Sequence, residues 1–232
     1  MFSNGYLILS LALGALGFIV QRILISKMHK YGARIISRGM SGKLIAESML
    51  RYYNIAGVNV VEGQGMLTDH YNPTNKTVTL SPDVYNGQSI MAAAVAAHEC
   101  GHAVQHDTAY SMLQLRSKLV PAVQVASFGL QWMMLLSFML ANRFPQLMLL
   151  TIGLFAMTTL FSLITLPVEF DASKRALVWL NNQSVLREGS EMEGGRDALK
   201  WAAMTYVVAA LSSIVMLVYL ILQYMGLRRS DD

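Results

Sequence analysis

LMLLTIGLFAMTTLFSLITLPV, residues 147–168, runs 22 residues without an ionisable side chain and is followed at once by Glu169. A helix needs roughly 20 apolar residues to cross the hydrocarbon of a bilayer, where every backbone polar group must be satisfied within the segment. The stretch therefore reads as a membrane span. Three more runs approach spanning length, Tyr6–Ile25, Leu119–Ala141 and Ala202–Met225. Four spans are expected in all. With 54% hydrophobic and 14% charged residues among 232, the chain is more apolar than an ordinary soluble domain. Gln21 and Arg22 interrupt the end of the first run. No Lys or Arg precedes that run and no small-x-small cleavage site follows it, so an uncleaved anchor is favoured over a signal peptide.

Charge is distributed unevenly around these runs. Lys27, Lys30, Arg34, Arg38, Lys43, Arg51, Lys76, Arg116 and Lys118 lie between the first two, and Lys174, Arg175, Arg187, Arg196 and Lys200 follow the third. The loop between the second and third runs carries only Arg143, and the tail sets Arg228 and Arg229 against Asp231 and Asp232. The positive-inside rule then puts both large polar segments in the cytoplasm and both termini outside. The net charge of +4 follows from this topology and suits anionic lipid; it gives no reason to invoke nucleic acid. Cys100 is the single cysteine, so no intramolecular disulfide can form and a reducing compartment is suitable.

The expected organisation is an anchor at 1–26, a cytoplasmic region at 27–118, a transmembrane hairpin at 119–168, a cytoplasmic helical segment at 169–200, and a last span and tail at 201–232. Lys27–Gly39 is expected to continue the first helix as a basic juxtamembrane segment. Ser41 opens a helix to about Tyr53, with Leu44, Ile45, Met49 and Tyr52 at helical spacing. Val58–Glu62, Leu67–Tyr71 and Lys76–Leu80, with a turn at Asn72-Pro73-Thr74-Asn75, predict a small, mainly antiparallel sheet. The edge of Lys76–Leu80, if open, can pair with an extended substrate. Ser81-Pro82-Asp83 signals a helix start, and Ser89 can cap the helix carrying Met91–His106. Glu169 opens a helix that ends near Asn181-Asn182, and Ser190 with Glu193 forms a capping box for the helix entering the fourth span.

The chemistry is concentrated in His98-Glu99-Cys100-Gly101-His102. HExxH on a helix sets two imidazoles one turn apart on one face, able to hold one metal, with a carboxylate placed to act as a base on water. From the chain's composition the pattern would arise by chance with an expectation on the order of 0.003. Gly101 removes a side chain where substrate or an opposing backbone approaches. Cys100 lies about 200° around the helix from His98 and should face the core. His106 continues the spacing, but about 12 Å of helix beyond His98 it cannot reach the same ion. Glu169 is the better third ligand, since two intervening spans return the chain to the side of the histidines. Asp171 sits on another face of that helix and suits an orienting role. His70, Tyr71 and Arg175 are candidate donors to an oxyanion.

These motifs together resemble the YugP-type neutral zinc metallopeptidases of bacterial membranes, which are distantly similar in active-site plan to the Ste24 and HtpX peptidases. The resemblance runs through Asp69-His70-Tyr71-Asn72-Pro73, Val95–Ala103, Glu169-Phe170-Asp171-Ala172-Ser173 and the entry to the last span at Thr205-Tyr206-Val207. It implies His98, His102 and Glu169 as zinc ligands and Glu99 as catalytic base. Where the wider Ste24-like pattern reads ExxxD, position 173 is Ser.

The fold expected is thus a mainly α, multi-pass membrane protein of about four transmembrane helices, with a cytoplasmic α+β zincin-like region containing the small antiparallel sheet. The function expected is a zinc-dependent endopeptidase of the bacterial plasma membrane that uses zinc-activated water, with peptides or membrane proteins as substrates. An idle zinc-containing scaffold or partner-binding protein is the competing class, disfavoured because a structural metal site does not need Glu99. A transporter or channel is disfavoured because the runs hold almost no ionisable residues.

Overall fold

The computed structural model describes residues 4–140 and 144–229. Ala141 at the end of the second apolar run, Arg143 in the loop after it, and Asp231 and Asp232 in the tail lie outside the described residues. Helices dominate: α1 (Asn4–Gly32), α2 (Gly42–Tyr52), α3 (Pro82–Tyr85), α4 (Ile90–Asp107), α5 (Ser111–Leu140), α6 (Pro145–Asn182) and α7 (Ser190–Arg229). Strands β1 (Asn59–Glu62), β2 (His70–Asn72) and β3 (Thr77–Leu80) form one sheet between α2 and α3 in the sequence. The chain divides into two compact units, one built from residues 1–20, 115–166 and 205–232, the other from 21–114 and 167–204.

Among the described residues, α1, α5, α6 and α7, each with a part in the first unit, are four helices long and apolar enough to cross a membrane. Phe18, Val125, Phe128, Trp132 and Met139 are exposed there, as lipid-facing side chains would be. Several hydroxyls there bond carbonyls of their own helix, as Thr158, Thr159, Ser162 and Thr165 do. Ser137 and Thr151 link α5 to α6 through their hydroxyls, and both also reach the Met133 and Leu147 carbonyls. In an apolar medium such pairing relieves the cost of an unsatisfied hydroxyl.

The second unit is organised around α4. Its Ser89 cap accepts the Ala92 N–H, as the sequence suggested, and the following turns are lined with small residues. Ala92, Ala93, Ala94, Ala96, Ala97, Cys100 and Ala103 are all buried, so neighbours close on this helix from several sides. Ile45 and Met49 of α2, Val78 and Leu80 of β3, and Ala176 and Leu180 of α6 share its core. Ser41 caps α2 through the Leu44 N–H.

Several local expectations are corrected. The sheet is mixed: β3 pairs antiparallel with β2, His70 opposite Thr79, but parallel with β1, Asn59 opposite Thr77. The 63–69 link is too long to force a hairpin and carries Gly65 and Leu67 at positive φ, so β1 lies on the far side of β3 from β2. β3 is therefore the central strand, paired on both sides, and has no open edge for a substrate. Leu67, at φ 60°, is outside the extended region, and β2 begins only at His70. Asp69 closes the connection by accepting the Ser81 N–H at 2.8 Å and its hydroxyl at 3.0 Å.

Nor does α1 extend to Gly39. It stops at Gly32, and the chain then pairs with the approach to α4 through Ile36 N–H to Gln88 O and Ile90 N–H to Arg34 O. These bonds need extended backbone, which competes with continuing the helix. The expected capping box is also replaced. Ser190 lies inside α7, and the Glu191 carboxylate takes the Arg187 N–H and the Ser37 N–H. Gly194 lies within α7, where a Cβ would meet the Tyr31 ring at 2.9 Å.

Candidate metal centre

The middle of α4 presents His98 and His102 one turn apart, their ring centroids 4.8 Å from each other and their planes at 82°. α6 brings Glu169 to the same place. Its Oε2 lies 3.4 Å from His98 Nε2 and 3.7 Å from His102 Nε2. One donor atom from each residue falls within 4.8 Å of the others, and this is a grouping of ligand types that can hold a metal ion. Donors about 2.05 Å from a tetrahedral zinc stand roughly 3.3 Å apart, so the two nitrogen–oxygen separations suit such an ion. Two imidazoles and one carboxylate are also the chemistry of a site that keeps a position open for a reactant.

The helices can approach this closely because position 101 has no side chain. A Cβ on Gly101 would stand 2.6 Å from the Ala172 carbonyl oxygen. The alternative of an opposing backbone, rather than substrate, is thus the one the fold displays. Cys100, on another side of α4, is fully buried, and its thiol faces the Ala46 carbonyl at 3.5 Å. Burial raises its pKa further, with the Glu99 charge adding to the effect.

Each histidine has a partner on the nitrogen turned away from Glu169. Ser173 Oγ lies 3.1 Å from His98 Nδ1, so serine occupies the place of the orienting carboxylate in the ExxxD pattern. Gln105 Oε1 lies 3.0 Å from His102 Nδ1. The sequence reading missed Gln105. Its only signal was its place three residues after His102, on the same helix face. Burial lowers the pKa of His102, but Glu169 beside Nε2, aided by Glu99 and Gln105, outweighs it and the net shift is upward. The local field therefore favours positive charge where the three donor atoms meet.

Glu99, Glu169 and Ser173 are buried along with His102, and His98 keeps only partial exposure. Asp171 lies beside the cluster. It accepts the Gln105 amide N–H at 2.8 Å and the Arg175 Nε–H. The three candidate oxyanion donors each make a contact outside the grouped donors. His70 Nδ1 lies 2.7 Å from the Thr68 carbonyl, Tyr71 bonds His106 Nδ1 at 2.8 Å, and Arg175 is paired with Asp171. His106 is not among the grouped donors.

Comparison with known proteins agrees with this geometry. The model of a family described as "Putative neutral zinc metallopeptidase" matches residues 6–225. The chain is 39% identical over 221 residues to the "Putative membrane protease YugP" of Bacillus subtilis (strain 168), covering 95% of this chain and 97% of that protein. No solved structure matches it.

Proposed function

This chain belongs to the neutral zinc metallopeptidase family, and we propose that it is a membrane-anchored endopeptidase whose zinc is held by His98, His102 and Glu169 and whose general base is Glu99. The observation that carries this reading is the convergence of His98 Nε2, His102 Nε2 and Glu169 Oε2 from two helices. Zinc, when bound, supplies a Lewis acid that polarises a carbonyl and lowers the pKa of water.

The chain's own residues supply the rest. Glu99, next to His98 on the buried helix, takes one proton from the attacking water and returns it to the amine as the C–N bond breaks. The water oxygen ends in the new carboxyl group. Ser173 accepts the Nδ1–H of His98, which leaves the Nε2 lone pair for the metal. Burial of Glu99 and Glu169 limits competition from bulk water for these charges.

The proposed substrates are peptides or the juxtamembrane segments of membrane proteins. Residues 27–118 and 169–200 are assigned to the cytoplasmic face, and 1–26, 119–168 and 201–232 to the anchor, the hairpin and the last span with its tail, from the asymmetry of basic residues. Glu99→Gln tests the reading. The amide keeps the size of the side chain but cannot accept the proton, so zinc should stay bound while peptide hydrolysis falls about 10²–10⁴-fold. Near-wild-type cleavage with zinc retained would show that another base operates. Absence of cleavage by the wild type on peptide and membrane-protein substrates would favour the idle scaffold.

A further inference from the structure

Gln105 is fully buried and uses both ends of its amide. Its Nε2 lies 2.8 Å from the Val168 carbonyl oxygen and 2.8 Å from Asp171 Oδ2, while its Oε1 faces His102 Nδ1 at 3.0 Å. The partners fix which way the amide points. A backbone carbonyl only accepts, and Asp171 already takes the Arg175 Nε–H, so the NH₂ end must face these two. The oxygen is left for the imidazole. An amide oxygen also only accepts, so Nδ1 of His102 carries a hydrogen, and in the neutral ring the lone pair falls on Nε2, on the Glu169 side.

The same amide acts on the second helix. Val168 immediately precedes Glu169, so the bond to its carbonyl holds α6 to α4 at the position of the carboxylate. Burial prevents water from replacing either bond.

We propose that Gln105 is a positioning residue for metal binding, holding His102 in the Nδ1–H tautomer with Nε2 free and fastening α6 to α4 beside Glu169. This rests on the reading that His98, His102 and Glu169 bind the metal. Partners of this kind typically change metal affinity about 10–100-fold when removed.

The test uses the full-length chain purified in detergent, with zinc affinity measured by chelator competition and the ligand field read from the absorption of added cobalt(II). Gln105→Met keeps the length of the side chain and removes its hydrogen bonds. Zinc affinity should fall about 10–100-fold and the cobalt bands should shift. Nitrogen NMR of the metal-free chain should show the neutral His102 ring protonated at Nδ1 in the wild type and its hydrogen moved toward Nε2 in Gln105→Met. A packing role alone predicts no change of tautomer.

Zinc affinity of Gln105→Met within about twofold of wild type, or an unchanged His102 tautomer in that variant, would overturn the proposal. If Gln105→Met does not fold, Asp171→Ala decides. It removes one anchor of the amide from a partly exposed position, and unchanged zinc affinity would count against the proposal, whereas a severalfold loss would support it. A wild type that binds no zinc would overturn the metal-site reading itself, an outcome distinct from failure of Gln105 alone.

Discussion

The methyl group that Gly101 lacks would stand 2.6 Å from the carbonyl oxygen of Ala172, closer than Cβ atoms approach oxygen in folded proteins. This gap between α4 and α6 places His98 and His102 opposite Glu169. The obstructing atom is backbone, so a side-chain rotation cannot relieve the clash. Gly101→Ala should therefore destabilise the protein by about 1–3 kcal/mol, the usual cost of overpacking, and also weaken zinc binding as the helices separate. Thermal unfolding and zinc titration of the variant check both effects. An unchanged midpoint with unchanged zinc affinity would show that the helices yield freely.

The donor set predicts about one zinc per chain. His98→Ala and His102→Ala should each remove it from the purified protein, and Glu169→Ala should weaken it. Metal analysis after dialysis reads the outcome. Full occupancy in both histidine variants would defeat the assignment, and full occupancy in Glu169→Ala alone would require another acid as third ligand.

Ser173 Oγ lies 3.1 Å from His98 Nδ1, and with Nε2 on the proposed metal that nitrogen carries the hydrogen for Ser173 to accept, so Ser173→Ala should lower zinc affinity by up to about tenfold. Ser173→Asp restores a carboxylate acceptor and should bind zinc at least as tightly as the alanine variant. Chelator competition on the three proteins orders them. Equal affinities would leave Ser173 without influence on the metal.

Single cysteines test the proposed topology. Cys100 is buried with its thiol pKa raised by burial, so Cys100→Ser gives a background with little disturbance of reactivity elsewhere. Probes at Lys76 and Arg187 should both resist impermeant reagents in intact cells and react after lysis. Labelling of one position but not the other would separate the segments that carry the histidines and the carboxylate.

What could be read in advance depended on how local the determining interaction is. The four apolar helices follow from length and lack of charge, properties of each segment alone. The starts of α2 and α4 follow from Ser41 and Ser89, whose caps reach only three residues ahead. The parallel pairing of β1 with β3 was hidden because it depends on where the 63–69 link carries the chain. The early end of α1 likewise depends on bonds from Ile36 and Arg34 to residues more than fifty positions away.

Within the centre, His98, His102 and Glu169 stood out by residue type, and the fold brings them together. Gln105 did not stand out, because a glutamine announces no metal chemistry until its three partners are known. His70, Tyr71 and Arg175 illustrate the reverse case. Each has suitable donor groups, but the sequence does not reveal their contacts with Thr68, His106 and Asp171.

The separation of the donors along the chain also sets a schedule. A ribosome delivers α4 with His98 and His102 long before α6 with Glu169, and the two apolar runs between them must be made first. A partly synthesised chain thus exposes two imidazoles without their carboxylate. On the proposed ligand set, the metal centre is complete only after the transmembrane hairpin has been made, because Glu169 follows both of its apolar runs in the chain.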